Sequence, residues 1–145
     1  MTDPALVVRK LAGLTDHLGR LRDRRPTDVA EMHSNLLLQD AIALSLIVVV
    51  QEAIDIALHL ASDEGWGVPA SFRESFEILA RHGVIDAPLA SALANAAALR
   101  NRIAHGYASV DVDRVWAELP AGISSFESFA TAIARYLQRT PPSHA

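Results

Sequence analysis

An all-α bundle is what this sequence predicts, and three observations carry the prediction. Apolar residues return at steps of three and four through the segments at both ends of the chain, the spacing of one helix face. The run from Val29 to Ser62 contains neither glycine nor proline and would span on the order of 50 Å as one helix, at about 1.5 Å per residue. Turn-forming residues fall between the periodic runs, at Pro26, from Gly65 to Pro69, at Gly83 and Pro88, and again at Pro120 and Gly122. The expectation is a bundle of about five helices, one of them long and central.

From Pro4 to Arg24, the residues Val7, Leu11, Leu14, Leu18 and Leu21 make a one-sided stripe. Pro26 stops that helix, because the residue before a proline avoids the α region. Thr27 or Asp28 can cap the next helix, with Glu31 completing a capping box if Asp28 takes the cap. Inside the long run, Ile47-Val48-Val49-Val50 has strand-like chemistry. Its flanks, residues 40–44 and 53–58, continue a helical pattern without a turn signal, so helix is the expectation. Around its middle this helix is apolar on too many sides for one contact surface. It should be central in the bundle and also covered by a partner subunit.

One polar line interrupts it. Gln51, Asp55 and His59 stand at i, i+4 and i+8, with Glu52 alongside. The plain reading is an exposed edge carrying an Asp55–His59 pair. The sharper reading is that the line borders a cleft and orients catalytic groups. It is too sparse for a metal site, which would need three or four ligands.

Ser71, with Glu74 three residues later, opens a helix through Phe72, Phe76, Ile78 and Leu79 to His82, and Gly83 is its left-handed end. His82 would then complement the helix dipole. Pro88 begins an alanine-rich helix. The last part should be a short stretch from Val112 to Leu119, a break at Pro120 and Gly122, and a final helix from Ser124 or Ser125 carrying Phe126, Phe129, Ile133 and Leu137. Residues 1–139 are expected to form a single domain, and 140–145 a flexible tail.

Half of the 145 residues are hydrophobic and 21% are charged, which suits a globular domain and excludes a disordered one. The absence of cysteine excludes disulfides and thiolate metal sites and fits a reducing cytoplasm. No signal-peptide pattern opens the chain. The most apolar stretch, Ala41 to Val50, is about half of the roughly 20 residues that a membrane-crossing helix needs. A soluble cytoplasmic protein without a membrane partner is expected. The formal charge of −4 argues against a general nucleic-acid coat, though not against RNA at a local basic patch. Two patches exist. Arg20, Arg22, Arg24 and Arg25 read as a solvated helix end; Arg100 and Arg102 are the other.

The second patch lies in Leu-Arg-Asn-Arg-Ile-Ala-His-Gly-Tyr, from Leu99 to Tyr107, where polar chemistry is densest. On an ideal helix Arg100 and His105 stand about 140° apart, while Asn101 and Arg102 share a face with His105. Gly106 is a natural helix end that lets His105 leave regular geometry. By spacing alone this is a basic helix C-terminus with Tyr107 packed on the bundle.

Arg100, four intervening residues and His105-Gly106-Tyr107 fit the pattern R-x(4–6)-H-x-Y, and the chain resembles HEPN-domain ribonucleases, in particular the HepT toxin branch. Further segments match that branch in order: Leu38-Gln39-Asp40, Glu52 to Ala57 with His59, Gly67-Val68-Pro69, Ser71 to Glu74, Leu79-Ala80 and Gly83-Val84-Ile85. The resemblance implies a HEPN-type bundle that dimerises and sets two motifs beside one cleft. It implies a toxin that cuts RNA with no metal and no cofactor, using Arg100 and His105 as catalytic residues with Asn101 and Arg102 in support. It also implies a partner, an MntA-like minimal nucleotidyltransferase antitoxin that adds AMP to Tyr107, with assembly beyond the homodimer left open.

The residue chemistry is compatible. RNA carries its own nucleophile, the 2′-OH. An imidazole titrating near neutrality can take or give a proton, and a guanidinium fork suits a phosphate on which charge is growing. A different class stays open: a catalytically silent helical adaptor that dimerises and binds a nucleotidyltransferase. The negative net charge favours it mildly, since a ribonuclease must bind a polyanion.

Overall fold

The computed structural model describes residues 3–105 and 111–139, with the backbone alone at 104 and 105. Six helices follow one another: α1 (Pro4–Arg24), α2 (Val29–Ser34), α3 (Leu36–Asp63), α4 (Phe72–Arg81), α5 (Ala87–His105) and α6 (Val112–Arg139). No strand occurs among the described residues. Asp3 caps α1 by accepting the backbone N–H groups of Ala5 and Leu6, and Pro4 fills the first helical position, where its missing N–H costs nothing. The predicted stripe is the buried one: Val7, Leu14, Leu18 and Leu21 are buried and Leu11 packs against them.

The long run from Val29 is two helices rather than one. Asp28 caps α2, as expected, through the N–H of Ala30. Asn35 then takes an extended conformation (φ −124°, ψ 94°), and its side chain accepts the N–H of Leu38 at 3.0 Å. Asparagine competes for backbone groups in this way, which favours a cap over a helix interior. From the first turn of α3, Gln39 Nε2 reaches back to the Met32 carbonyl at 2.9 Å, so a side chain closes the carbonyl end of α2.

Helix α3 touches each of the other five helices. It buries Ile42, Leu46, Val49, Val50, Ile54, Ile56 and Leu60, each worth about 1.5–3 kcal/mol when fully removed from water. Burial from several sides overrides the extended preference of the β-branched run. As a whole, α3 is long and apolar enough to cross a membrane, more so than its ten most apolar residues suggested. Half of its most apolar 18-residue window is buried inside the bundle. The rest is mostly half-buried, and a few large apolar side chains stand exposed. Leu37 and Leu44 are 82% and 60% exposed, and Leu37, Leu44, Val48, Gln51 and Asp55 succeed one another along a single helix face.

Helix α6 corrects a second expectation, since it runs unbroken through Pro120. Proline has no N–H, so the carbonyl four residues earlier, at Trp116, loses its helical donor. Arg25 supplies one. Its Nε donates to the Trp116 carbonyl at 2.9 Å, its guanidinium lies 4.2 Å over the Trp116 ring, and the indole N–H donates to the Pro26 carbonyl at 2.8 Å. With the missing rung completed from the end of α1, Gly122, Ser124 and Ser125 stay within the helix. Phe126, Phe129 and Ile133 are buried, and Phe129 meets Phe76 of α4 edge-on at 6.0 Å. The first basic patch is largely paired within the protein: Arg20 with Asp16 at 2.8 Å and Arg22 with Glu127 at 2.6 Å, beside the Arg25 clamp.

Helices α3 and α4 end alike. Gly65 and Gly83 take positive φ, and the following N–H groups of Trp66 and Val84 return to the carbonyls of Ala61 and Leu79, closing each helix in a Schellman motif. His82 stands at the C-cap of α4, where the sequence placed it, and its ring stacks on Trp66 at 4.2 Å. Ser71 caps α4 as expected, while Glu74 reaches back to the N–H of Ala70. Asp86 caps α5 through Leu89, and the small buried residues Ala90, Ala94 and Ala97 let that helix pack closely. It carries the Arg100 segment to its end.

Candidate active site

Arg100 lies five residues before the end of α5 and reaches its guanidinium to Gln51 of α3. Its two terminal nitrogens donate to two amide oxygens, Gln51 Oε1 at 3.3 Å and Asn101 Oδ1 at 3.1 Å. Its Nε is buried and has no hydrogen-bond partner among the described residues. A buried donor left without a partner costs about 1–3 kcal/mol, a cost the rest of the fold must carry.

Behind Gln51 the hydrogen bonds continue along α3 and on to α1. Gln51 Nε2 donates to Asp55 Oδ1 at 2.9 Å, and Lys10 Nζ of α1 donates to Asp55 Oδ2 at 3.1 Å. Lys10 also lies 3.6 Å from Glu52 Oε1. The hydrogen bond to Asp55 is the largest influence on Lys10. With the negative charges of Asp55 and Glu52 it outweighs burial, so the ammonium is held above the ordinary lysine value. Gly13 faces this cluster: a Cβ there would come within 3.0 Å of Glu52 Oε2.

The polar line on α3 therefore divides. Gln51 and Asp55 lead to Arg100. The expected Asp55–His59 pair is absent, because Asp55 is engaged by Gln51 and Lys10, while His59 Nε2 lies 2.9 Å from Asp63 one turn on. Asn101 braces its neighbour Arg100. Arg102 stands on the other side of α5, exposed, in the wall of a 440 Å³ cleft between α5 and α6 that also holds Arg114 and Glu118. The two arginines of the motif thus serve different surfaces. His105 is the last residue of α5; its side chain, Gly106 and Tyr107 lie outside the described residues, as does the expected tail. No group of three or more potential metal ligands occurs among the described residues.

Sequence reasoning missed Lys10 and Gly13. Neither carries a signal, since Lys10 meets Asp55 across 45 positions. The Gln51–Arg100 contact spans 49, and only the sharper reading of the polar line pointed toward it.

A family profile described as Ribonuclease HepT-like matches residues 14–133. The chain is 29% identical over 128 residues to the mRNA nuclease HepT of Shewanella oneidensis, covering 88% of this chain and 96% of that one. It is 25% identical over 122 residues to the tRNA nuclease HepT of Aphanizomenon flos-aquae, covering 84% and 81%. Among solved structures, the tri-AMPylated Shewanella oneidensis HEPN toxin in complex with MNT antitoxin superposes with a TM-score of 0.83 at 29% identity, covering 93% of this chain and 99% of that one. The Bacillus subtilis cytosolic protein YutE, of unknown function, matches with a TM-score of 0.85 at 15% identity, over 99% of this chain and 96% of its own, and shares the fold.

Proposed function

Because this chain belongs to the HepT-like ribonuclease family, we propose that it is the toxin of a toxin–antitoxin pair and a metal-independent endoribonuclease that cuts with Arg100 and His105. The observation that most supports this reading is the anchored guanidinium of Arg100, held by neutral oxygens five residues ahead of His105 on one helix end. A planar fork fixed in this way can meet a phosphate and stabilise the charge that grows on it during attack.

The proposed reaction uses the substrate's own nucleophile. One motif histidine takes the proton of the RNA 2′-OH, whose oxygen attacks the adjacent phosphorus. The bond from phosphorus to the 5′-oxygen breaks, and that oxygen takes a proton from a second histidine. The products are a 2′,3′-cyclic phosphate and a 5′-hydroxyl. Each chain has one motif histidine, so a two-fold partner supplies the other. The apolar strip of Leu37 and Leu44 supports a dimer on this side of α3, because it runs along the face that ends at Gln51. Asn101 steadies Arg100, and Arg102 is a phosphate contact on the neighbouring surface.

The proposed antitoxin is a nucleotidyltransferase, like the MNT protein solved with the AMPylated relative and the MntA protein of a further solved toxin–antitoxin complex. It would join the Tyr107 oxygen to the α-phosphorus of ATP and release pyrophosphate. The attached AMP places negative charge and bulk two residues from His105, which repels the RNA backbone.

Purified protein should cleave RNA in excess EDTA, and His105→Ala and Arg100→Ala should each slow it by at least about 100-fold. Cleavage stopped by chelation, or unchanged in both variants, overturns the proposal. A folded dimer that binds the nucleotidyltransferase and leaves RNA intact is the silent adaptor instead. Co-expression with the partner should add AMP-sized mass at Tyr107.

A further inference from the structure

We infer that Gln51 is the positioning residue of Arg100, an amide spacer that fixes the guanidinium while keeping any carboxylate off it. The inference rests on the nuclease reading for its consequence but on hydrogen-bond geometry for its substance. An arginine on the wall of a bundle can be held by a carboxylate, by water or by a neutral carbonyl. A carboxylate binds it most strongly but cancels the charge that an incoming phosphate needs. Here both acceptors are amide oxygens, from Gln51 and Asn101.

The orientation of the Gln51 amide follows from its two neighbours. On one side stands Asp55, which can only accept; on the other stands Arg100, which can only donate. Turning the amide over would set donor against donor and acceptor against acceptor. With the amide as it stands, its NH2 meets Asp55 at 2.9 Å and its oxygen meets Arg100 at 3.3 Å. Asp55 is itself pinned from behind by Lys10 at 3.1 Å, so its carboxylate is engaged before it can swing toward Arg100. Position is transmitted from α1 through α3 to α5, and the negative charge stays one side chain away.

Two substitutions separate this role from simple packing. Gln51→Leu keeps the volume and removes the oxygen, so the guanidinium loses its anchor. Gln51→Glu supplies a carboxylate that pairs with Arg100 and repels Asp55. With full-length protein and a short RNA, Gln51→Leu should lower kcat by about tenfold or more, the scale of a lost hydrogen bond to a charged group. Gln51→Glu should instead act mainly by raising KM. In protein labelled with 15N-arginine, the Arg100 Nε–Hε resonance should be sharp and slow to exchange in the wild type. It should broaden in Gln51→Leu and move in Gln51→Glu.

Full cleavage by both variants with an unmoved Arg100 resonance overturns the inference. So does a loss of cleavage that only tracks a lower unfolding midpoint while that resonance stays unchanged. The resonance also reads Arg100 without any RNA. A wild type that cuts no RNA, yet loses the sharp resonance on Gln51→Leu, keeps the positioning role and removes the nuclease reading. A wild type that cuts RNA, with Gln51 variants at full rate, does the reverse.

Discussion

Arg25 and Arg100 are both arginines at the seam between two helices, and they are held in opposite ways. Arg25 gives its Nε to a backbone carbonyl and lays its plane on an indole. Arg100 leaves its Nε without a partner among the described residues and rests its two terminal nitrogens on side-chain amides. The first repairs a helix that proline would have interrupted. The second stores a donor and a charge at a cost to stability. A structural arginine is recognised by what it satisfies, and an arginine proposed to meet an anion, as Arg100 is in the nuclease reading, by what it leaves open among the described residues.

That contrast can be broken most severely at Arg100. Arg100→Lys removes the fork but keeps a charge, and RNA cleavage should fall by about 100-fold while the unfolding midpoint stays close to wild type. Equal falls in both would mean that Arg100 is structural as well. Arg25→Ala should behave the other way. It strands the Trp116 carbonyl and ends the cation–π contact, for a loss of about 2–3 kcal/mol in denaturant unfolding, with the cleavage rate per folded molecule retained.

Pro120→Ala sharpens the comparison. It restores the N–H that the Trp116 carbonyl lacks, so in the Arg25→Ala background it should recover about 1 kcal/mol. In the wild type, where Arg25 already serves that carbonyl, it should change little. Additive effects in this double-mutant cycle would refute the shared rung. The smallest effect concerns Lys10. Its folded-state pKa is raised, so its stabilising contribution is complete below the ordinary lysine value and is lost as pH climbs through the raised one. Between neutral pH and strongly alkaline pH, Lys10→Met should therefore lose less stability than wild type. The difference should stay under about 1 kcal/mol, because water screens the partly exposed pair.

Periodicity made most of the bundle legible from sequence. The α1 stripe, the Asp28 and Ser71 caps and the Gly83 end all depend on neighbours within a few residues, and such signals survive in a bare chain. Asn35 was readable in principle, since asparagine is a strong cap, but without glycine or proline between Val29 and Ser62 nothing else marked a break there. Pro120 was not readable. Whether proline stops a helix depended on a donor 91 positions away, between Arg25 and Trp116. The candidate site divides along the same line. Its motif residues adjoin one another in sequence, whereas the Gln51 and Lys10 supports come from other helices and the Asp55–His59 expectation yielded to them.

The Arg25–Trp116 rung also sets an order of events during synthesis. The ribosome delivers the donor when the chain is barely begun and the acceptor only when most of it has emerged, so the N-terminal helix must wait, with that guanidinium in water, for the last helix to arrive. A nascent chain cut short before residue 112 would carry every apolar surface of the first five helices and nothing to cover them from the sixth.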